Sequence, residues 1–328
     1  MERPFFTVGI ASYNYAALLP RAFAQLKKQA FRDFEVLYCD DGSTDDSCSV
    51  IERFIVDNPD MSVRLVRGEN GGILANKNRI LDNARGQYLM ICDADDYMAD
   101  DCLARLHDAL ARTGADCVIG AFDEVDPEGA VIKRHPLPAA PVRWLYTQHH
   151  AQAYRLDIPR RFGIRFEALP DDLCYLHQVH LHCGSTVYVH EPVYFWYRHD
   201  DSVSRNTAVH ADWKATALWR QIAAQTGRVL GEAASGADRA ALRYFLLKYY
   251  FINALDMPPG RLRDIRRALS AMRADLRAVW ADYAAPAAWR SVRAVPDTGH
   301  ARRMVRACLL LERAGLLPLA VWLRARTK

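Results

Sequence analysis

The sequence predicts an α/β protein: a mostly parallel, twisted sheet flanked by helices, followed by an α-helical C-terminal region. Three observations carry that prediction. Short apolar runs alternate with helical spacings through the first 122 residues, the pattern of successive βαβ units. Three of those runs end directly in polar clusters. After Asn206 the strand-like runs give way to long, Arg-rich helical patterns, broken at Pro258-Pro259-Gly260 and again at Pro286.

The elements follow in order. Phe5–Ala11 (FFTVGIA) reads as a strand, and Leu19, Phe23 and Leu26 then recur at helical spacing. Phe34–Cys39 (FEVLYC) is a second strand. Ser43 to Asp46 has the form of a capping box, ahead of an apolar stripe of Val50, Ile51, Phe54 and Ile55. Val63–Val66 is a third strand, and Ile73–Ala84 a helix stopped by Arg85-Gly86. Tyr88–Cys92 is a fourth strand; a helix over Asp100–Arg112 and a strand over Cys117–Phe122 complete the series. Residues 127–150 contain Pro127, Gly129, Pro136, Pro138 and Pro141, and so read as a flexible connection.

In such a sheet ligands bind beyond the carboxyl ends of the strands. The clusters there are SYN after the first strand, DDGSTD after the second and DADD after the fourth. Carboxylates as close as Asp93, Asp95 and Asp96 repel unless a cation or a row of donors neutralises them. A D-x-D pair at a strand end suits a divalent cation with phosphate oxygens in its shell, although an acidic turn capping the next helix has the same residues. Asp41, between Asp40 and Gly42, could accept from the imide N–H of a uracil ring; a helix N-cap turn is the plainer alternative.

Six segments then fall into one order: IASYN (10–14), CDDGSTD (39–45), NGGILANKN (70–78), CDADD (92–96), LPDDLCYL (169–176) and YFWYRHDDSVS (194–204). Together they resemble inverting family 2 glycosyltransferases, whose fold is the GT-A nucleotide-diphospho-sugar transferase fold. The resemblance implies a catalytic domain over 1–205 and a separate helical region over 206–328. It implies that Ala11, Tyr13 and Asn14 contact the nucleotide, with Asp41 on the uracil edge and Lys77 nearby. Asp93 would face the ribose or the metal shell, and Asp95 would hold Mn²⁺ or Mg²⁺ on the diphosphate. Asp172, second of an acidic pair with Asp171, would be the catalytic base. His199 would be a second metal ligand or a diphosphate contact, and Ser202 and Ser204 match a Ser-x-Ser element. Ser12 stands for a frequent Pro, Lys77 for Arg and Asp171 for Glu. Lys keeps the charge but loses the bidentate fork.

The expected activity is therefore transfer of a sugar from a UDP-sugar to a hydroxyl of a glycan or lipid-linked acceptor, in surface polysaccharide synthesis. Two alternatives stay open. A haloacid-dehalogenase-like phosphotransferase also places D-x-D after an apolar strand, although near its N-terminus. A non-catalytic nucleotide-sugar-binding protein of the same fold would keep the clusters without transferring. The run HQVHLHC (177–183) offers zinc-type ligands, but its spacing does not put three imidazoles on one helical face, so an ordinary helix is expected.

Charge is unevenly spread. Residues 261–328 carry 15 Lys+Arg against 5 Asp+Glu, or +10, which leaves −6 for the rest of a chain of net +4. The C-terminal helices read either as a subdomain with solvated arginines or as an interfacial surface on an anionic membrane. No nucleic-acid-binding module accompanies the charge. The N-terminus lacks a signal-peptide pattern, no apolar run is long enough for a membrane span, and eight cysteines are scattered without a CxxC pair. A cytoplasmic protein, with peripheral contact on the inner membrane face in the second reading, is expected.

Overall fold

The computed structural model describes residues 3–198, 215–233, 235–293 and 295–327. The chain divides into two compact units, Met1–Leu137 with Gln148–Ser202, and Pro138–Thr147 with Val203–Lys328.

The first unit is built on a nine-stranded sheet. Its strands are β1 (Phe6–Ser12), β2 (Phe34–Asp40), β3 (Val63–Arg67), β4 (Tyr88–Asp93), β5 (Tyr97–Met98), β6 (Cys117–Val125), β7 (Val131–His135), β8 (Gln152–Arg155) and β9 (Thr186–Tyr197). The order is β3-β2-β1-β4-β8-β6-β9-β5, with β7 paired to β6. β3, β2, β1 and β4 run parallel, as do β6 and β9; β8 is antiparallel to both β4 and β6. The helices are α1 (Leu19–Lys28), α2 (Ser47–Asp57), α3 (Gly72–Asn83), α4 (Cys102–Thr113), α5 (Asp157–Arg161) and α6 (Asp171–His182).

All seven residues of β2 are buried, as a strand covered on both faces requires. Phe6, Val8 and Ile10 of β1 point to one face and pack with Leu19, Phe23 and Leu26 of α1, Phe54 of α2 and Leu106 of α4. The alternate residues face α3. There Gly9 permits a close approach, because a Cβ at that position would lie 2.4 Å from Ile80 Cγ2. Ile80 is fully buried and stiff at χ1, so it cannot swing away. Gly9→Ala is expected to cost about 1–3 kcal/mol through overpacking, read as a lower urea midpoint with an unchanged slope.

Several local outcomes differ from the sequence expectation. Residues 127–150 are not a plain connection. Val131–His135 pairs with Phe122–Val125, and the Asp126–Ala130 turn is closed by the Asp126 N–H on the Ala130 carbonyl (3.0 Å). Pro127 sits in its turn and Pro136 just after its second strand, so neither interrupts the pairing. Ser43 does not cap α2; its amide and hydroxyl donate to Asp40, while Asp45 accepts the Ser47 N–H (3.0 Å) at the helix start. His177 and His180 lie buried in α6, as an ordinary helix would have them.

The second unit contains α7 (Ala215–Glu232), α8 (Gly236–Leu255), α9 (Leu262–Val279), α10 (Pro286–Arg293), α11 (Gly299–Arg313) and α12 (Leu317–Ala325). Phe245, Leu247, Tyr250 and Phe251 of α8 are fully buried, and Ile265, Leu269, Met272 and Leu276 form the buried stripe of α9. Trp219 donates its indole N–H to the Met272 carbonyl (3.0 Å). Among the described residues, no helix is long and apolar enough to cross a membrane. The eight cysteines are free thiols, all buried except the half-buried Cys48.

Candidate active site

Strand register brings three polar clusters together. Ala11 lies opposite both Cys39 and Asp93, and Ser12 opposite Asp40, so SYN, DDGSTD and DADD leave the sheet side by side at its carboxyl edge. The loops are fastened to one another. Asn14 adopts a left-handed φ of 56°, which Asn tolerates better than most residues. Its N–H donates to Ser43 Oγ (2.9 Å), and its side-chain carbonyl accepts from the Thr44 N–H (2.8 Å). The Tyr15 N–H reaches Ser47 Oγ (2.9 Å), and the Ala16 N–H reaches Asp45 (3.1 Å). Tyr13 stands out from this scaffold, 43% exposed.

Asp41 is buried at the start of α3. Its carboxylate accepts from the N–H groups of Gly71 (3.1 Å) and Gly72 (2.8 Å), with Arg79 at 3.5 Å. A carboxylate here also suits the positive end of the helix. Two oxygens offer about four lone-pair sites, so these donors leave accepting capacity on the carboxylate.

The DADD turn is held through Asp96. Its carboxylate accepts from the Tyr194 hydroxyl (2.9 Å) and the Tyr197 N–H (2.7 Å) of β9. The Tyr194 hydroxyl in turn accepts from the Asp93 N–H (3.3 Å). Burial, then Asp93 and Asp95, push the Asp96 carboxyl well above the ordinary range. Asp93 is also pushed upward, by desolvation and by Asp95, Asp172 and Asp171, against the pull of Lys77. Tyr15 faces the same charges: burial, then Asp95, Asp93 and Asp96, keep its phenol protonated.

The acidic pair lies within electrostatic reach of the same turn. Lys77 projects from α3, buried, with Nζ 2.5 Å from Asp171 Oδ2 and 2.8 Å from Asp172 Oδ1 in the first turn of α6. Burial alone would lower the Lys77 pKa, but Asp172, Asp171 and the more distant Asp93 outweigh it and hold the ammonium protonated. Asp172 Oδ2 accepts the His149 N–H (3.2 Å), and the His149 ring Nε2 is 3.3 Å from Oδ1. Burial and Lys77 keep that imidazole neutral. The Asp172 side chain remains 29% exposed, so a ligand can reach it.

Asp93, Asp96 and His150 each offer an atom within 4.8 Å of one another. His150 stacks on Tyr194 (centroids 5.1 Å apart), and its buried Nε2 has no hydrogen-bond partner. Burial lowers its pKa to about 4, leaving a neutral imidazole able to bind a cation. Carboxylate oxygens at a rigid strand end, with one orphaned imidazole nitrogen, fit a divalent cation. Asp95 shares the turn and is half-buried. His199, Ser202 and Ser204 lie outside the described residues.

The residues expected from sequence thus gather in two groups on one edge: Ala11, Tyr13, Asn14 and Asp41 on one side, and Lys77, Asp93, Asp95 and Asp172 beside them. Tyr15, His149, His150 and Tyr194 were not anticipated as site residues. Tyr194 begins a segment already singled out; the two histidines sit in an irregular stretch with no periodicity.

The architecture defines a GT-A fold, and comparison bears this out. Residues 1–349 of S. aureus TarS, solved with UDP-GlcNAc, superpose with a TM-score of 0.68 at 16% identity, covering 98% of this chain and 91% of that one. A Pyrobaculum calidifontis mannosyltransferase, PcManGT, solved with GDP-Man and Mn²⁺, gives 0.58 at 19% identity, covering 100% and 87%. The model of "Glycosyl transferase family 2" matches residues 7–171, and the chain belongs to that family. A chondroitin synthase of Pasteurella multocida is 33% identical over 130 residues, which is 39% of this chain but 13% of the synthase. The glycosyltransferase GlyG of Streptococcus pneumoniae is 31% identical over 121 residues, 37% of this chain and 40% of GlyG. This chain therefore matches less than half of the length of either relative.

Proposed function

We propose that the protein is a metal-dependent, inverting glycosyltransferase that moves a sugar from a UDP-sugar to a hydroxyl of a glycan or lipid-linked acceptor in surface polysaccharide synthesis. The observation that carries this reading is the reachable carboxylate of Asp172, close enough to Asp93 for their charges to interact, at the sheet edge where ligands of such folds bind. In this reading residues 1–205 are the catalytic domain and 206–328 the helical region, although Pro138–Thr147 groups with the second compact unit.

Inversion requires an acceptor hydroxyl to attack one face of the anomeric carbon while the nucleoside diphosphate leaves from the other. Asp172 receives the hydroxyl proton as general base. His149 fixes the orientation of that carboxylate through its backbone N–H, and Lys77 sets its position through Oδ1. Ala11, Tyr13 and Asn14 present the first strand end to the nucleotide, with Asp41 aimed at its base. Asp95, with His199 as the expected second ligand and Asp93, Asp96 and His150 offering further donor atoms within 4.8 Å of one another, would hold a Mn²⁺ or Mg²⁺ ion, which when bound would supply charge stabilisation for the leaving diphosphate. Peripheral contact with the inner face of a membrane, from a cytoplasmic location, belongs to the same reading because lipid-linked acceptors reside there.

The test is thermal stability with UDP, GDP and dTDP, each with and without Mn²⁺. Ligand at a hundred times its Kd adds about 2.7 kcal/mol, a shift of several degrees at this size. UDP is expected to stabilise the protein only with Mn²⁺, and Asp95→Ala to abolish that dependence. Stabilisation by GDP alone would move the donor to a GDP-sugar. No shift with any nucleotide would sink the reading.

A further inference from the structure

The hairpin of α11 and α12 turns inward with one face and outward with a different chemistry. Ala301, Val305, Cys308 and Leu309 of α11 are buried, as are Leu317, Val321 and Ala325 of α12. The helices are joined by a Schellman turn. Gly315 takes φ 72° and donates to the Glu312 carbonyl (3.1 Å), while the Leu316 N–H reaches the Leu311 carbonyl (2.8 Å).

Among the described residues, the exposed leucines are Leu310 (58%), Leu316 (50%), Leu319 (44%) and Leu323 (53%), all within this one hairpin. Exposed between and beside them are Arg302, Arg303, Arg306, Arg313, Arg324 and Arg326. The sole acid in the stretch, Glu312, is turned inward, bonded to Arg273 (2.6 Å) and to the Tyr283 hydroxyl (2.6 Å). The outward face is therefore apolar and cationic, with no anion on it. Half-buried Trp322 lies beneath the Arg326 guanidinium at 3.9 Å, an amphipathic pair of the kind found at membrane–water boundaries.

Single exposed leucines need no explanation, but a cluster does. A polyanion in water would engage the arginines and gain nothing from the leucines. A bilayer surface uses both: apolar side chains enter the acyl boundary while cations meet lipid phosphates. We infer that this hairpin is a docking face for an anionic bilayer, with Leu310, Leu316, Leu319 and Leu323 as the inserting side chains. The inference deepens the membrane contact proposed above and rests on it for its purpose. Lipid binding is measured without any transfer reaction, so the two readings fail separately.

The experiment floats the full chain with vesicles of phosphatidylcholine alone or mixed with phosphatidylglycerol, across a salt series, with heparin retention as the polyanion control. Flotation is expected with the mixed vesicles only, weakening as salt rises. Leu310→Ser, Leu319→Ser and Leu323→Ser combined should reduce bound protein about tenfold or more while leaving heparin retention unchanged. Arg303→Gln, Arg313→Gln and Arg324→Gln combined should lower both. Absence of flotation with anionic vesicles overturns the inference, and so does a leucine variant that floats like the parent, which would mark a polyanion surface. Should the leucine variant misfold, hydrogen exchange of residues 310–323 in the unmodified chain decides. Slowing on anionic vesicles supports the docking face, and unchanged exchange overturns it.

Discussion

Asp172→Asn is expected to lower the rate of sugar transfer by roughly 10²–10⁴-fold while leaving UDP and Mn²⁺ stabilisation intact. The amide is nearly isosteric but has one acceptor oxygen, which can keep either the Lys77 Nζ now 2.8 Å from Oδ1 or the His149 N–H now 3.2 Å from Oδ2. Lys77 keeps its 2.5 Å partner in Asp171. The wall of the site should therefore stand while its proton acceptor is gone. Transfer assayed with a matched acceptor, beside the thermal shift with UDP, separates the two effects. Turnover within a few-fold of the parent would move the base from Asp172 to Asp171.

The second large effect concerns folding. In Lys77→Met the ammonium is lost, and Asp171 and Asp172 face each other with no cation between them. Removing the cation of a buried ion pair costs about 3–5 kcal/mol, and here the cost falls toward the lower end because the two carboxylates left behind are 20% and 29% exposed. That is a drop in melting temperature of roughly 10 °C for a unit of this size. Lys77→Arg retains the charge and should lose much less. Urea denaturation of both variants is the measurement. A Met variant as stable as the parent would mean that the 2.5 and 2.8 Å contacts contribute nothing in solution.

Local pattern made the first four strands and α1–α4 readable, since each is a short apolar run or a stripe at helical spacing and its burial follows directly. α3 was read from Ile73, and it begins at Gly72. β7 and β8 were hidden for different reasons. β7 is exposed along nearly its whole length and flanked by prolines; β8 is four residues long. The site shows the same division. Asp41, Asp95 and Asp172 stand in motifs, so the sequence marks them as candidates. The pairing of Lys77 with residues 94 and 95 positions further on was not. Nor was the burial of His149 and His150, because neither periodicity nor spacing marks a side chain that an irregular segment carries into a site.

The fastening of the edge loops has a consequence for engineering. Asn14 is bonded to Ser43 and Thr44, Tyr15 to Ser47, Asp41 to Gly71 and Gly72, and Asp96 to Tyr194 and Tyr197. Among the described residues, each of these loops takes part of its shape from a neighbouring element. A chimaera that imports one loop from a relative brings half of each bond and strands the other half in the recipient. The smallest transplantable piece is the whole set of strand ends, so altered sugar choice is better sought by single substitutions on the walls than by exchange of segments.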